Sequence, residues 1–388
     1  MENLFQTVEH ISPLLSKHIE QEELDGRLSK EVIETLKRSG LYKLFLPSSL
    51  GGWEADPVTT AKLIEHISRY NAAAAWSVMV ACAGAWWCKY LPAEAVEEIF
   101  AQSSEHLGAG SFAAPMKATK VDGGYMVSGQ TPLCSNVHEA NWVGVSAIVM
   151  QDAKPVMHNG MPEFRMVVLK ENDYQIINTW QALGMKSTDS NDVMASNAFV
   201  SDYHTGIISP GAVYNRHYQK ALYCFPAAGI NGCSLIAPVA LGIAANMIEE
   251  LKLLTEKIPS GSVASLKEKQ SFQKKLAMAE ALVRSARNYL YQSLQDCWNK
   301  VRNGEAALPE DKAALLLAAA QVNKSCVEAA DLVFSSAGTT GVYKRNKISR
   351  HFTDIQVVRQ HGFINENRFE TAAQLLLGVS PDFFPAIL

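Results

Sequence analysis

The sequence lacks an excess of basic residues. Lys and Arg number 35 against 39 Asp and Glu, which gives a formal net charge of −4. Proteins that bind nucleic acid usually carry a basic face, so this balance disfavours a nucleic-acid partner. A basic start followed by an apolar run and a cleavage site is also missing, so we expect no secretory signal.

Paired cysteines are absent as well. The seven cysteines are an odd number, no two form C-x-x-C, and no histidine cluster accompanies them. Structural zinc needs clustered Cys or His ligands, so we predict no metal site. Unpaired cysteines are typical of a reducing compartment, and we therefore expect a cytoplasmic protein.

Apolar runs of membrane-spanning length are also scarce. The most apolar run is Ala72–Cys88, AAAAWSVMVACAGAWWC. It is slightly short for a span, which needs about 20 residues, and it is rich in small residues. We therefore interpret it as a buried core helix and expect no membrane association. With 48% hydrophobic residues in 388, the chain can fill one large domain or two to three smaller packed units.

Several catalytic motifs are missing. The chain has no P-loop, no G-x-G-x-x-G after a strand, no H-E-x-x-H and no G-x-S-x-G. Phosphoryl transfer, nicotinamide binding in a Rossmann unit and serine-hydrolase chemistry each lose support.

The hydrophobic periodicity changes twice along the chain. Residues 1–106 show helical spacing, residues 107–206 contain short runs rich in β-branched and aromatic residues, and residues 207–388 are helical again. The pattern predicts a mainly α protein with a central β-domain, a barrel or sandwich, between an N-terminal helical domain and a C-terminal four-helix bundle.

Local signals set several element boundaries. Asp56-Pro57 is typical of a helix start, and Asp122-Gly123-Gly124 is typical of a hairpin turn. Leu266–Arg302 has almost no helix breakers, so it predicts a helix on the order of 55 Å long. A last helix is expected from Ile348 through FTDIQVVRQHGF, Phe352–Phe363.

Four segments taken together resemble the acyl-CoA dehydrogenase superfamily. LFLPSSLGGWEAD (Leu44–Asp56) is similar to its P-x-x-x-G-G region, and GYMVSGQTPLCSN (Gly124–Asn136) to its strand ending in W-I-T-N. TWQALGMKSTDSND (Thr179–Asp192) is similar to L-G-x-R-x-S/T-x-S, and GTTGVYKRNKISRHFTDIQ (Gly338–Gln356) to G-G-x-G-Y followed by R-D-A. The order and spacing of the four carry the resemblance, which covers nearly the whole chain. It implies a flavin between the β-domain and the bundle, and usually a homotetramer.

The chain departs from the dehydrogenases at the catalytic base. They commonly place a glutamate eight residues after the aspartate of R-D-A, but eight residues after Asp354 is Gly362, preceded by His361. A histidine here resembles the branch of flavin-dependent monooxygenases that serve as oxygenase components of two-component systems. That resemblance implies reduced flavin, FMN or FAD, delivered by a separate NAD(P)H-dependent reductase, and O₂ as co-substrate. It also implies a flavin C4a-hydroperoxide, with His361 near the peroxide and Ser135 near flavin N5.

The resemblance further assigns residues to the cofactor and the substrate. The implied flavin contacts are Phe112, Ala113, Leu133, Cys134, Ser135, Trp180, Gly338 and Thr339, the last two reaching the flavin of a neighbouring subunit. Phenol hydroxylases of this branch carry a histidine eight residues after a tryptophan that matches Trp76, where this chain has Gly84. Trp86 is a candidate for the wall of an aromatic, heteroaromatic or amine substrate pocket, or else a core residue.

Non-catalytic interpretations of Ser135 and His361, and two other functions for the protein, remain open. Ser135 in PLCSN is typical of a turn residue that caps its own backbone, and His361 of a surface histidine at a helix end. A second function is an acyl-CoA dehydrogenase or oxidase whose base has moved to Glu280 or Glu366. A third is a helical scaffold without activity.

Overall fold

The computed structural model describes residues 2–101, 107–158, 160–212 and 214–387. The helices before the sheet are α1 Glu2–Lys17, α2 Ile19–Asp25, α3 Lys30–Arg38, α4 Pro57–Ser68, α5 Ala72–Trp87 and α6 Ala93–Ala101. The Asp56 carboxylate accepts hydrogen bonds from the Val58 and Thr59 amides at 3.0 and 2.9 Å, which confirms the predicted start of α4.

The central strands form one mixed sheet of eight strands and a separate two-stranded ribbon. The strands are β1 Gly108–Val121, β2 Gly124–Cys134, β3 Trp142–Gln151, β4 Lys154–Pro155, β5 Met157–His158, β6 Met161–Pro162, β7 Phe164–Leu169, β8 Gln175–Ile177, β9 Asn191–Ser201 and β10 Thr205–Ile207. The main path runs β10-β7-β3-β1-β2-β9-β8, with β1 parallel to β3 and antiparallel to β2. Val121 pairs with Gly124 across Asp122-Gly123, which confirms the predicted hairpin.

The helices after the sheet build the bundle. They are α7 Ala221–Cys224, a π-helix Gly229–Ile236, α8 Ala237–Lys252, α9 Gln270–Arg302, α10 Pro309–Ala337, α11 Lys347–Val358 and α12 Asn367–Leu376. The 33-residue α9 confirms the predicted long helix, although it begins four residues later, after a short 3₁₀ turn at Leu266–Glu268. Helix α10 packs against α8, α9, α11 and α12.

The two largest hydrophobic clusters hold most of the chain together. One joins the N-terminal helices to the C-terminal bundle, and the other lies within the sheet. Helix α5 belongs to the first, with 12 of its residues buried, as expected for a core helix. Within the described residues, Gly229–Lys252 is long and apolar enough to cross a membrane by length and composition, but 94% of its most apolar window is buried inside the protein.

The sheet and the bundle meet at the loop before β9. A Cβ added at Gly184 would lie 2.3 Å from the backbone carbonyl of Thr353 in α11, so only glycine allows this approach. The Asp354 carboxylate accepts a hydrogen bond from the Met185 amide at 2.6 Å at the same place. This contact fixes the position of the loop relative to α11.

The last predicted helix ends earlier than expected. Helix α11 stops at Val358, and the Arg359 amide caps it on the Ile355 and Val357 carbonyls. His361 and Gly362 therefore lie in the turn that leads to α12, where the Ile364 and Asn365 amides donate to the His361 carbonyl at 3.0 Å. The expectation of a helix through Phe363 was wrong, because the turn is closed by these bonds and the helical pattern of apolar residues ends at Val358.

Candidate active site

Ser135 lies in a strained segment just past the end of β2. Its neighbours Leu133 and Asn136 have φ values of +64° and +62°, and Met185 and Asp189 in the facing loop have φ values of +50° and +51°. Non-glycine residues rarely adopt this left-handed region, and such strain concentrates at functional sites. Strand pairing joins the two segments, since Cys134 pairs with Asn191.

The Ser135 hydroxyl is held by two side chains. The Trp76 indole Nε1–H donates to Ser135 Oγ at 3.0 Å, and Ser135 Oγ lies 2.7 Å from Ser190 Oγ. Ser135 is 5% exposed, so its position is set by the protein rather than by solvent. Trp76 projects from the core helix α5 and is half-buried.

His361 lies against the same tryptophan. The rings of Trp76 and His361 meet edge-on at 5.7 Å between centroids, and the His361 ring stacks on Phe363 at 5.9 Å. Desolvation by the surrounding protein lowers the pKa of His361 to about 4, so the imidazole is neutral near pH 7. The Phe363 amide donates to His361 Nδ1 at 3.3 Å, which assigns the ring proton to Nε2. Trp76 thus brings together the two predicted catalytic residues.

Two hydroxyl residues that the sequence reasoning missed continue the contacts of Ser135. Ser190 Oγ lies 2.7 Å from Thr188 Oγ1, which donates to the Met185 carbonyl at 2.9 Å. Trp180, a predicted flavin contact, donates from Nε1 to the Met185 and Lys186 carbonyls at 3.2 and 3.0 Å. The polar run S-T-D-S directly before a β-strand was the available signal, but only the strand register shows which hydroxyl faces Ser135.

The other residues predicted to hold the flavin occupy different surroundings. Phe112 and Leu133 are 37% and 51% exposed, large apolar side chains at the surface of the β-domain. The Ala113 amide donates to Ser111 Oγ at 3.2 Å. Cys134 is buried, and desolvation raises the pKa of its thiol to about 12, which makes it an unreactive packing residue.

Gly338 and Thr339 lie at the far end of α10. Both are exposed, and Gly338 ends the helix with φ +57°. On a single chain they face solvent, so a role toward a flavin requires a neighbouring subunit.

Trp86 is a core residue in this structure. It is fully buried, its Nε1–H donates to the Leu222 carbonyl at 3.1 Å, and the Lys89 ammonium lies 3.3 Å from its ring centroid. These contacts favour the core alternative over a substrate wall. Trp87 instead meets Phe112, with 4.7 Å between ring centroids.

Gly84, where phenol hydroxylases of this branch carry a histidine, lies close to the Trp142 ring. A Cβ at this position would lie 3.2 Å from the Trp142 ring. A side chain at position 84 would therefore require the Trp142 ring to shift by a few tenths of an ångström.

The alternative carboxylate bases are poorly placed. Glu280 is paired with Lys252 at 2.6 Å and Arg284 at 2.8 Å, and the Lys252 hydrogen bond lowers its pKa despite an opposing desolvation effect. Glu366 is exposed. A Cβ added at Gly362 meets no atom within 4 Å, so a side chain would fit where the dehydrogenase base is missing.

The surroundings of Ser135 are compatible with a flavin. A flat heteroaromatic ring needs apolar surface with polar groups at its edge. Exposed Leu133, two residues before Ser135, supplies apolar surface, and Ser135 supplies a fixed hydroxyl. Among the described residues, no group of three or more His, Cys, Asp or Glu side chains is arranged to hold a metal ion.

Comparison with known families identifies the family of the chain. The acyl-CoA dehydrogenase N-terminal domain matches residues 7–94 and the acyl-CoA dehydrogenase C-terminal domain matches residues 234–366. Together the two matches span more than half of the chain. The chain belongs to the acyl-CoA dehydrogenase superfamily.

Among the relatives that the chain resembles are monooxygenases and a hydroxylase oxygenase component. Indole-3-acetate monooxygenase of Pseudomonas putida is 28% identical over 356 residues, covering 91% of this chain and 88% of the relative. The oxygenase component of p-hydroxyphenylacetate 3-hydroxylase of Acinetobacter baumannii is 24% identical over 392 residues, covering 98% and 90%.

Solved structures show the same fold. 3-HSA hydroxylase from Rhodococcus sp. RHA1 superposes with a TM-score of 0.89 at 19% identity, covering 99% of both chains. XiaF from Streptomyces sp., in complex with FADH₂ and glycerol, gives 0.89 at 19% identity, covering 98% of this chain and 96% of that chain.

Proposed function

We propose that the chain is the oxygenase component of a two-component flavin-dependent monooxygenase. One observation carries the proposal: Trp76 joins Ser135 and His361 in one site, where Gly362 leaves no carboxylate to remove a proton from a thioester. The names of the relatives support it, since they include monooxygenases and a hydroxylase oxygenase component.

The reduced flavin, FMN or FAD, would supply the electrons with which O₂ is activated. Phe112 and Leu133 would cover its ring, the backbone at Ala113 and Cys134 would line it, and the Ser135 hydroxyl would meet the N5 edge. Trp180 would support this site from behind, because it holds the Met185–Lys186 backbone. Gly338 and Thr339 would reach the flavin of a neighbouring subunit in a homotetramer.

His361 would hold a proton on Nε2 and donate it in a hydrogen bond. Nδ1 is occupied by the Phe363 amide and the ring is neutral, so Nε2–H is a donor toward an oxygen atom bound beside Trp76. The Phe363 ring stacks on the imidazole and the Trp76 ring meets it edge-on, so both reduce its contact with water. Fixed donors in a dry site favour productive oxygen transfer over release of hydrogen peroxide.

The substrate class proposed is an aromatic, heteroaromatic or amine compound. The relatives named above act on indole-3-acetate and p-hydroxyphenylacetate. Position 84 is glycine, so it supplies no histidine as the second base expected of phenol hydroxylases. A heteroaromatic ring that needs no phenol deprotonation therefore fits better than a phenol.

The partner proposed is a separate NAD(P)H-dependent flavin reductase, and the compartment proposed is the cytoplasm. The term "oxygenase component" in the name of one relative supports a partner that reduces the flavin. No reductase unit is needed in this chain if reduced flavin arrives by diffusion.

Mixing experiments with pre-reduced flavin test the proposal. Protein with anaerobic reduced FMN or FAD is mixed with air-saturated buffer and indole-3-acetate, and O₂ consumed and H₂O₂ released are both measured. The wild type should release clearly less H₂O₂ per O₂ than free flavin, whereas Ser135→Ala and His361→Ala should release nearly one equivalent.

Thr131→Val serves as the matched control. Thr131 lies on β2, four residues before Ser135, is fully buried, and its hydroxyl has no hydrogen-bond partner among the described residues. Peroxide release like that of free flavin from the wild type would contradict the proposal. Tight oxidised FAD that acyl-CoA reduces would favour a dehydrogenase instead.

A further inference from the structure

The hydroxyl groups beside Ser135 form a chain whose direction can be determined. It runs through Trp76, Ser135, Ser190 and Thr188 and ends at the Met185 carbonyl, with spacings of 3.0, 2.7, 2.7 and 2.9 Å. Both ends are fixed, because an indole N–H only donates and a carbonyl only accepts.

Counting protons from the carbonyl end assigns every bond. Thr188 has one hydroxyl proton and gives it to the Met185 carbonyl, so Thr188 must accept from Ser190. Ser190 then has no proton left, so it must accept from Ser135. Ser135 therefore points its proton at Ser190 and offers a lone pair elsewhere.

The chain is rigid and dry. Ser135, Ser190 and Thr188 are 5%, 4% and 2% exposed, so water does not compete for these bonds. The Asn136 amide donates to the Thr188 carbonyl at 2.9 Å, which fixes the two backbone segments to each other. Reversing the Ser135 hydroxyl would leave Ser190 without a donor in a buried place, at the cost of about one hydrogen bond.

We infer that Ser190 and Thr188 are positioning residues that hold Ser135 as a hydrogen-bond acceptor and so select reduced over oxidised flavin. The inference rests on the proposed function, in which Ser135 meets flavin N5. Reduced flavin carries N–H at N5 and needs an acceptor, whereas oxidised flavin has a bare nitrogen there and needs a donor. The fixed hydrogen-bond chain supplies the acceptor that reduced flavin needs and withholds the donor that oxidised flavin needs.

Dissociation constants test the inference without turnover. The constants of oxidised and of anaerobic dithionite-reduced FMN and FAD are measured by fluorescence quenching and ultrafiltration. The readout is the ratio of the oxidised to the reduced constant. Ser190→Ala removes the acceptor of the Ser135 proton, so the ratio should fall roughly threefold to tenfold, the equivalent of one hydrogen bond.

Thr188→Val tests whether the effect of Ser190→Ala comes from the hydrogen-bond chain or from changed packing beside Ser135. Thr188 does not touch the Ser135 hydroxyl, but without its oxygen Ser190 can turn its proton toward Ser135 and free the Ser135 proton. The ratio should therefore fall as it does in Ser190→Ala. Thr131→Val should keep the wild-type ratio, and Ser190→Ala should change nothing further in a Ser135→Ala background.

The possible outcomes distinguish the inference from the proposed function. Wild-type ratios in both Ser190→Ala and Thr188→Val, with Ser135→Ala still altering flavin affinity, would overturn the inference alone. If Ser135→Ala left the affinities for both redox forms unchanged, the proposed flavin contact would be overturned as well. Circular dichroism melts verify folding, and if Ser190→Ala does not fold, Thr188→Val decides the question.

Discussion

His361 shows how the surroundings of a single residue set its chemistry. Burial against Trp76 and Phe363 lowers the pKa of its imidazole to about 4, well below the ordinary value of 6.5. The ring can therefore hold one proton on Nε2 across the range in which a free histidine would titrate.

The pH dependence of peroxide release follows from that value. The ratio of H₂O₂ released to O₂ consumed should stay flat from pH 8 to about 5.5 and rise toward pH 4, because protonation puts a second donor on Nδ1 and breaks its bond with the Phe363 amide. The measurement is the mixing experiment repeated across this range. The rise should be missing in His361→Ala, and a rise centred near pH 6.5 in the wild type would contradict the assignment.

Neither the space around Gly362 nor its backbone conformation requires a glycine at this position. A Cβ there meets nothing within 4 Å, and its φ lies outside the left-handed region. Gly362→Ala should therefore keep or raise thermal stability, by up to about 1 kcal/mol through the entropy of the unfolded chain.

Differential scanning calorimetry checks this expectation. Gly26→Ala is a matched control, since Gly26 is equally open but has φ +71°, so alanine there should lower the melting temperature. A loss of stability in Gly362→Ala comparable to that in Gly26→Ala would show that the turn after α11 needs glycine.

At the scale of elements, helix α11 holds the β9 loop through a buried carboxyl group. Asp354 is 5% exposed and accepts from the Met185 amide, and desolvation raises its pKa to about 7 from 3.8. His351 lies 4.0 Å away, and burial lowers its pKa to about 3, so the two are not an ion pair near neutral pH. Arg350, Lys186 and Glu23 are the charged groups that also act on Asp354.

Asp354→Asn should change the pH dependence of stability. Between about pH 4 and 7 the folded protein keeps the Asp354 proton while the unfolded chain loses it. The stability that Asp354 contributes through its raised pKa is therefore fully present at low pH and is lost as pH rises through 7. Asparagine keeps the carbonyl acceptor without the ionisation. The melting temperature of the variant minus that of the wild type should rise from pH 5 to 8 by a few degrees.

Melts at four or five pH values give the answer, and taking the difference cancels the groups common to both proteins. A difference that stays constant across the range would mean that Asp354 is already ionised in the folded protein at pH 5.

Sequence patterns predicted the secondary-structure elements better than they predicted the contacts between those elements. The α4 cap, the hairpin at Gly123 and the long α9 follow from local signals, and the structure contains all three. The end of α11 was missed, since it depends on bonds within the next turn. The π-helix Gly229–Ile236 was missed too, because its apolar residues fit an ordinary helix equally well.

The candidate site was only partly predictable for the same reason. Ser135 and His361 were predicted through the resemblance, but Trp76, Thr188 and Ser190 join them only through strand register and helix packing. Register is a long-range property, which residue types along one strand do not determine.

At the scale of the whole molecule, a single chain exposes apolar side chains on its C-terminal helices. Leu253, Leu376 and Leu377 are 75%, 55% and 79% exposed. Large contiguous apolar patches mark surfaces that a partner covers, and these side chains would contribute to such a patch only in a tetramer that brings them together. In the proposed function, Gly338 and Thr339 would also need a neighbouring subunit to reach a flavin.

We expect the purified protein to be a tetramer. Size-exclusion chromatography with light scattering should give four times the chain mass of 42.5 kDa, with or without flavin. A monomer at micromolar concentration would remove Gly338 and Thr339 from the flavin site, and the single chain would then have to hold the cofactor alone.

The four left-handed residues around Ser135 have a consequence for engineering. Leu133, Asn136, Met185 and Asp189 each keep a backbone conformation that glycine adopts without strain. Screens for heat resistance would therefore tend to select glycine at Leu133, whose exposed side chain contributes little to the core, and not at the buried Asn136, Met185 and Asp189. Such variants would relax the segment that carries Ser135, so thermostability and coupled turnover are expected to be in conflict here.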